Sequence, residues 1–336
     1  MRKILITGGC GFIGSNLLRY WLRNYQDDLI INVDALTYAA RPAWVEELLN
    51  EQPELQQNLI NERINIQDQN ALSRVMRKYE PDHVIHLAAE SHVCRSIAGP
   101  HDFIHTNIVG TFNLLEEFKS SRKGKDGRFL YVSTDEVFGQ LTEHEPKFFE
   151  GTPIKPRSPY AASKASGDLL VQAYYETYGL NTVITNCSNN YGPNQHEEKL
   201  IPRTISRFMN RELMTIYGTG EQIRDWISVE DHCTAIDIAF HKGKSGERYC
   251  VGGSQELKNI EVIDMVNSKL EKLTGMKSVG YTLTNDRPHD DFRYAIDSSK
   301  LKGLGWICPT GIDYFSEMLG YTIKWYLRDY KESGAV

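Results

Sequence analysis

The chain opens on a short apolar run, Lys3-Ile4-Leu5-Ile6-Thr7, which breaks at Gly8-Gly9-Cys10-Gly11-Phe12-Ile13-Gly14 and passes into a helical pattern from Ile13 to Tyr25. Few folds accommodate that order. Gly9, Gly11 and Gly14 fit G-x-G-x-x-G in the setting where the motif carries weight, after a strand and opening a helix. Glycines there let the backbone turn tightly and approach an anion, whose charge is met by free N–H groups at the helix N-terminus. The stretch therefore predicts the first strand–turn–helix unit of a nucleotide-binding sheet, with Gly8, Gly11, Phe12, Ile13 and Gly14 against the ligand.

Further along, short apolar strands at residues 3 to 7, 29 to 33, 83 to 87, 129 to 133 and 182 to 187 alternate with longer helical patterns. The helices read as Ile13 to Tyr25, Asn70 to Lys78, Asp102 to Lys119 and Tyr160 to Tyr178. Such alternation gives an α/β fold, a doubly wound parallel sheet of Rossmann type with helices on both faces. The turn-rich Asn189-Asn190-Tyr191-Gly192-Pro193-Asn194 ends the pattern. The chain thus divides into residues 1–188, which bind the cofactor and carry the catalytic groups, and 189–336, a smaller α+β substrate-binding lobe; a return of the chain into the sheet stays open. Helices in that lobe are expected near Leu200 to Asn210, Ser228 to Phe240, Asn259 to Leu273 and Gly311 to Leu327.

The second strand ends at Asp34, about 20 residues past the glycines, where a carboxylate binds adenosine ribose hydroxyls and repels a 2′-phosphate. NAD is therefore favoured over NADP. Ala35, Leu36 and Thr37 follow it, and Asn65-Ile66 and Leu87-Ala88-Ala89-Glu90-Ser91 fall at later strand ends, where the cofactor lies in such sheets.

Composition removes several classes of function. A net charge of -6 lacks the basic stripe that a nucleic-acid partner requires. No apolar stretch approaches the ~20 residues of a membrane span, and the N-terminal run is too soon broken to be a signal peptide. The six cysteines are scattered without a C-x-x-C pair, which suits idle thiols in a reducing cytoplasm, and no metal is expected.

The chemistry is written in two places. Phe129-Leu130-Tyr131-Val132 runs into Ser133-Thr134-Asp135-Glu136, and Tyr160 precedes Lys164 by four residues, on one helical face. Each pattern alone is common: acidic residues after a strand cap helices, and Tyr-x-x-x-Lys occurs on exposed faces. In register with the cofactor strand they form one reaction centre. Tyr and Lys move a proton while a hydride leaves an alcohol carbon, and Asp135 with Glu136 supply an acid and a base for expelling a hydroxyl as water. Adjacent carboxylates repel, so one is pushed toward its protonated form. Spacing leaves open which one.

These residues, with Leu87-Ala-Ala-Glu-Ser-His-Val93, Thr106-Asn-Ile-Val-Gly-Thr111, Asn189-Asn-Tyr-Gly-Pro193, Glu198-Lys-Leu-Ile-Pro202, Gln222-Ile-Arg-Asp-Trp226 and Arg293-Tyr-Ala-Ile-Asp297, resemble the extended short-chain dehydrogenase/reductase family. Within it, Ser133-Thr-Asp-Glu-Val-Phe-Gly139 is similar to the nucleotide-sugar 4,6-dehydratases, most of all those acting on dTDP-glucose. The resemblance implies a lyase that oxidises carbon 4 of an NDP-hexose, eliminates water across carbons 5 and 6, and returns the hydride to carbon 6, with tightly bound NAD regenerated each cycle. It implies that Tyr160 accepts the hydroxyl proton, aided toward phenolate by Lys164 and the nicotinamide charge, that Thr134 holds the reacting oxygen, that Glu136 is the base and that Asp135 is the protonated acid. By family position Thr106 and Asn190 face the cofactor. Ser91 and Asn189 touch the sugar, Lys199, Arg224, Arg287 and Asn259 serve the nucleotide diphosphate, and Leu200 and His289 also bind the substrate. A homodimer through a four-helix interface, built on the Phe103 to Phe118 and Tyr160 to Tyr178 helices, is also implied.

Three positions depart from the family pattern. Asp286-Arg287-Pro288-His289-Asp290-Asp291 stands where Asp-Arg-Pro-Gly-His-Asp is usual, Cys94 replaces an Asp and Phe138 a Tyr. The first alters the nucleotide end, which leaves thymidine, uridine, cytidine and guanosine substrates open. A sugar-nucleotide 4-epimerase or uronate decarboxylase shares NAD, Tyr and Lys but lacks the Asp-Glu pair, and a silent NAD-binding module would leave all four groups without a purpose. His92 reads equally as a substrate contact or a structural hydrogen-bonding residue.

Overall fold

The computed structural model describes residues 1–121, 126–285 and 291–332. Its centre is a seven-stranded sheet with every pairing parallel. The strands are β1 (Lys3–Thr7), β2 (Leu29–Asp34), β3 (Leu59–Arg63), β4 (His83–His86), β5 (Phe129–Thr134), β6 (Thr182–Cys187) and, after three short strands elsewhere, β10 (Glu247–Val251). Their order is β3-β2-β1-β4-β5-β6-β10. The chain reverses direction across the sheet between β1 and β4, and a crevice opens at the carboxyl ends of strands at such a point.

Strand alternation builds a core on each face. From β1, Ile4 and Ile6 pack with Leu17, Leu18, Trp21 and Leu22 of the Phe12–Asn24 helix, under the Val229–Lys242 helix. Leu5 points the other way, into a cluster with Ile31, Val33, Leu115 and Val171 from the layer of the Gln69–Tyr79, Thr111–Ser120 and Pro159–Tyr178 helices. β5 and β6 are buried along their whole length, as central strands covered on both faces must be. They deliver their terminal residues to the crevice with little freedom.

Two differences from the sequence expectation concern the sheet. β10, drawn from beyond residue 189, pairs in parallel with β6 and forms the edge of the large sheet; its Glu247-Arg248-Tyr249 start carries too few apolar residues to read as a strand. β3 is half exposed and so lacks the apolar run that marks the other strands. The Ala43–Glu51 helix was likewise not evident. Its Trp44 leaves the sheet layer for the second lobe's core, beside Tyr191, Phe208, Trp226 and Phe315.

That second core is enclosed by the Leu200–Met209, Asn259–Thr274 and Ile312–Glu332 helices. Beside it lie a three-stranded sheet, β7 (Asn189–Tyr191), β9 (Ile223–Ser228) and β11 (Glu256–Lys258), and a pair, β8 (Met214–Tyr217) with β12 (Tyr281–Thr284). No helix is long and apolar enough to cross a membrane, and no group of three or more His, Cys, Asp or Glu is placed to hold a metal ion, both among the described residues.

Candidate active site

The glycine turn is built by steric necessity. Gly8 has φ +74°, and a Cβ there would stand 2.7 Å from Ala88 N; a Cβ on Gly14 would stand 2.1 Å from Gly8 O. Side chains at either position would fill the space where β1, the turn and β4 converge. The Phe12–Asn24 helix begins at Gly11 with no side chain capping its first turn, leaving its first N–H groups to a ligand. Asp34, ending β2, accepts from Cys10 N and Leu36 N, each at 2.8 Å, so its carboxylate also fixes the loop it faces.

Behind the turn, buried His86 bridges Thr7 Oγ1 at 2.6 Å and Thr111 Oγ1 at 2.9 Å. Burial pushes its imidazole down to about 3, so it stays neutral and serves as a strut. Thr7 Oγ1 accepts from Leu87 N and Ala88 N at 3.2 and 3.1 Å, which fixes the wall opposite the glycines.

These elements enclose a cavity of about 300 Å³. Gly8, Gly11, Phe12, Ile13, Gly14, Asp34, Ala35, Thr37, Asn65, Ile66, Leu87, Ala88, Ala89, Ser91, Thr106 and Asn190 all line it, together with Thr134, Asp135, Glu136, Tyr160 and Lys164. Leu36 does not. Its φ of +53° turns it out of the wall between Ala35 and Thr37. Asn190 meets His232 Nδ1 at 2.8 Å and donates to Ser188 O at 3.0 Å, so the Val229–Lys242 helix holds its amide in place.

At the reaction end, β5 stops at Thr134 and the chain tightens into a single turn over Asp135–Phe138. Thr134 Oγ1 accepts from Glu136 N at 3.3 Å and its hydroxyl donates to Asp135 Oδ1 at 3.2 Å. The two carboxyls then part. Asp135 is 2% exposed and its Oδ2 has no hydrogen-bond partner among the described residues. Burial, then the charges of Glu136 and Asp225, push its carboxyl well above the usual range. Glu136 is half-buried and lines both this cavity and a second one of about 200 Å³. The two environments differ: burial favours the protonated form of Asp135, and Glu136 stands where the two cavities meet.

The Pro159–Tyr178 helix starts at Ser158, whose Oγ accepts from Ala161 N at 3.0 Å. This cap fixes Tyr160 and, one turn on, Lys164. Lys164 Nζ donates to Val132 O at 2.8 Å and lies 4.1 Å from the Tyr131 ring centroid; burial lowers its ammonium to about 8. The Tyr160 phenol is pushed well above its ordinary value by burial and then by the Glu136 charge, against a hydrogen bond with Thr134. The expected pull of Lys164 and the nicotinamide charge toward phenolate works against two features of the chain itself. Lys164 spends a hydrogen bond on the β5 backbone, and nearby Glu136 opposes ionisation.

Asn189, Lys199, Leu200, Arg224 and Asn259 line the second cavity, Asn189 and Lys199 the first as well; Ser91 and Thr134 lie in the first. Arg287 and His289 lie outside the described residues. Arg224, 5% exposed, donates to Ile223 O at 2.9 Å and stacks 4.4 Å from the Tyr294 ring centroid. Lys199 donates to Ser91 O at 3.0 Å. His92 lines the cavity while its Nδ1 accepts from Arg95 N at 3.3 Å, capping the Val93–Ala98 helix. Sequence reasoning missed Arg203, Tyr217, Trp226 and Tyr294, which line the same space. Arg203 could have been found, because it follows Lys199 by one helical turn and so shares its face.

The family model described as GDP-mannose 4,6 dehydratase matches residues 5–318. A dTDP-glucose 4,6-dehydratase of Haemophilus influenzae is 46% identical over 341 residues, covering 97% of this chain and 98% of that protein. Among solved structures, dTDP-glucose 4,6-dehydratases from Streptomyces venezuelae, with NAD and dTDP bound, and from Bacillus anthracis, with NAD, are each 38% identical. Each comparison covers 98% of both chains, with TM-scores of 0.89 and 0.86. With its glycine turn, its Tyr and Lys on one helix and its divided carboxyl pair, the chain belongs to this family of nucleotide-sugar dehydratases.

Proposed function

We propose that the chain is a nucleotide-sugar 4,6-dehydratase that converts dTDP-glucose to dTDP-4-keto-6-deoxyglucose and water, with NAD in the first cavity. The observation that carries this reading is the division of Asp135 and Glu136, one sealed where burial favours its protonated form, the other at the meeting of the two cavities. An epimerase or decarboxylase has no use for such a pair. The glycine cradle that a Cβ would fill and the Asp34 carboxylate suit NAD.

NAD, when bound, supplies the acceptance of hydride from carbon 4 and its return to carbon 6. The remaining steps fall to side chains. Thr134 holds the carbon 4 oxygen while Tyr160 takes its proton. Once a ketone stands at carbon 4, the carbon 5 proton is acidified and Glu136 removes it, as Asp135 donates to the departing carbon 6 hydroxyl; when hydride returns to carbon 6, Glu136 gives carbon 5 a proton exchanged with solvent, and Tyr160 releases its proton as Asp135 regains one. Burial and the Glu136 charge favour the phenol form of Tyr160, and the charges of Lys164 and of the nicotinamide favour the phenolate. Lys199, Arg203 and Arg224 offer cations to the diphosphate, and residues from 189 onward supply most of the substrate side.

The exposed Ile104, Val109, Phe112 and Leu169 lie on the helical region and the Pro159–Tyr178 helix named above for self-association, and they support a homodimer through that face. Free thiols at all six cysteines suit a reducing cytoplasm. The test is incubation with NAD and dTDP-, UDP-, CDP- or GDP-glucose, followed by mass spectrometry. Loss of one water from the dTDP sugar is expected; an isomer of unchanged mass, or no turnover of any of them, would sink the reading.

A further inference from the structure

Side chains from separate segments meet across the first cavity without taking part in the chemistry above. Tyr38 follows β2, between Thr37 and Ala39, which line the cavity; His196 and Glu198 line it from a separate segment. Arg95 stands between them on the Val93–Ala98 helix. Its guanidinium carbon lies 3.6 Å from the Tyr38 ring centroid and its Nε 3.7 Å from Glu198 Oε2. The same oxygen is 3.7 Å from His92 Nε2 and 3.8 Å from His196 Nδ1, and the His196 ring meets Tyr38 edge-on at 5.5 Å.

Tyr38 is 39% exposed and the Arg95 side chain 53%, so neither is needed to fill a core. Their contact has another consequence. It joins the loop after Asp34, where a cofactor's adenosine half would lie, to the segment that leads into Lys199 and the second cavity. An enzyme that restores its cofactor within every turnover works only while the cofactor stays in place, and walls that part freely would let it go.

We propose that Arg95 is a positioning residue that acts through Tyr38 and Glu198 to clasp the two walls together and slow the escape of NAD. The inference rests on reading the first cavity as the NAD site. It assigns no step of the reaction to Arg95, whose planar, always-charged head suits a stack on one side and a carboxylate on the other.

The test is the rate at which NAD leaves the intact protein. NAD-loaded protein is passed through a desalting column, and the cofactor still bound is measured over time by chromatography of the denatured sample. Arg95→Ala and Tyr38→Leu should each release NAD about tenfold faster, the scale of a lost stack and half-exposed ion pair. Because both lose the Arg95–Tyr38 stack, the double variant should release NAD more slowly than the product of the two single effects. Arg95→Lys, which keeps the charge and loses the plane, should fall between. Circular dichroism confirms that each variant is folded. Unchanged release rates, single effects that multiply in the double variant, or a parent protein that holds no NAD would overturn the clasp. A parent that retains NAD yet dehydrates no nucleotide hexose would instead remove the proposed reaction and leave the clasp standing.

Discussion

Replacing Lys164 by Met should stabilise the resting protein while abolishing its turnover. Lys164 is fully buried, and burial lowers its ammonium from an ordinary 10.5 to about 8. At ~1.4 kcal/mol per pH unit, holding that charge in place below pH 8 costs the fold about 3 kcal/mol. Met fills similar volume without charge, but leaves Val132 O, which now accepts from Nζ at 2.8 Å, without its donor, a loss of about 1 kcal/mol. The net gain of about 2 kcal/mol is a rise of about 3 °C in Tm for a chain of this length. The sign with pH is fixed. A lysine depressed in the folded state penalises folding fully below about 8, and the penalty fades as pH rises toward 10.5, because the folded chain sheds the proton before the unfolded one. Scanning calorimetry of both proteins between pH 6.5 and 10.5, taken as roughly the span of that titration, should show the variant's advantage shrinking, passing through zero and ending up to about 1 kcal/mol in the parent's favour, because the neutral amine still donates to Val132 O. A variant less stable at neutral pH, or an advantage that grows with pH, would refute the reasoning.

Other consequences follow from the same geometry. Tyr160→Phe should abolish oxidation, whereas Glu136→Gln should permit some oxidation and block water loss; undiminished product from either would remove that residue's role. Gly14→Ala puts a methyl 2.1 Å from Gly8 O, so it should cost about 1–3 kcal/mol of stability and weaken NAD binding, both read by thermal melts with and without NAD. Arg203→Leu should raise KM for the nucleotide sugar about tenfold with kcat little changed, because Arg203 lines the second cavity and is proposed to meet the diphosphate and no reacting carbon. A fall in kcat with KM unmoved would count against its place there.

The parts of the site that sequence exposes are those where backbone constraint is local. The glycine turn must follow a strand and open a helix, and Thr134, Asp135 and Glu136 are placed by a β5 run too apolar to be anything but a central strand. Tyr160 and Lys164 share a face by helical period alone. What stayed hidden depends on long-range packing. β10 is recruited by the edge of β6, a partnership with no periodic signature, and Leu36 is turned out by a backbone angle that its neighbours do not announce. Which carboxyl holds the proton depends on depth, and depth differs between two adjacent residues because the turn at Asp135–Phe138 sends their side chains different ways. The second cavity draws on β7, β8, β9 and several helices, so Tyr217, Trp226 and Tyr294 meet there only once the fold is complete. Phe138 occupies a position where the family pattern has a tyrosine, and it is buried against Phe148, which explains why the departure leaves the catalytic groups untouched.

The central claim is that one hydride is lent and returned around an elimination by Asp135 and Glu136. The most direct measurement supplies dTDP-glucose carrying deuterium at carbon 4 and locates the label in the product by NMR and mass spectrometry. The account predicts a 4-keto product that has lost water and carries the label on carbon 6, with a solvent-derived proton at carbon 5. Label lost to solvent, or left on carbon 4 of a product that still holds all its oxygens, would contradict it.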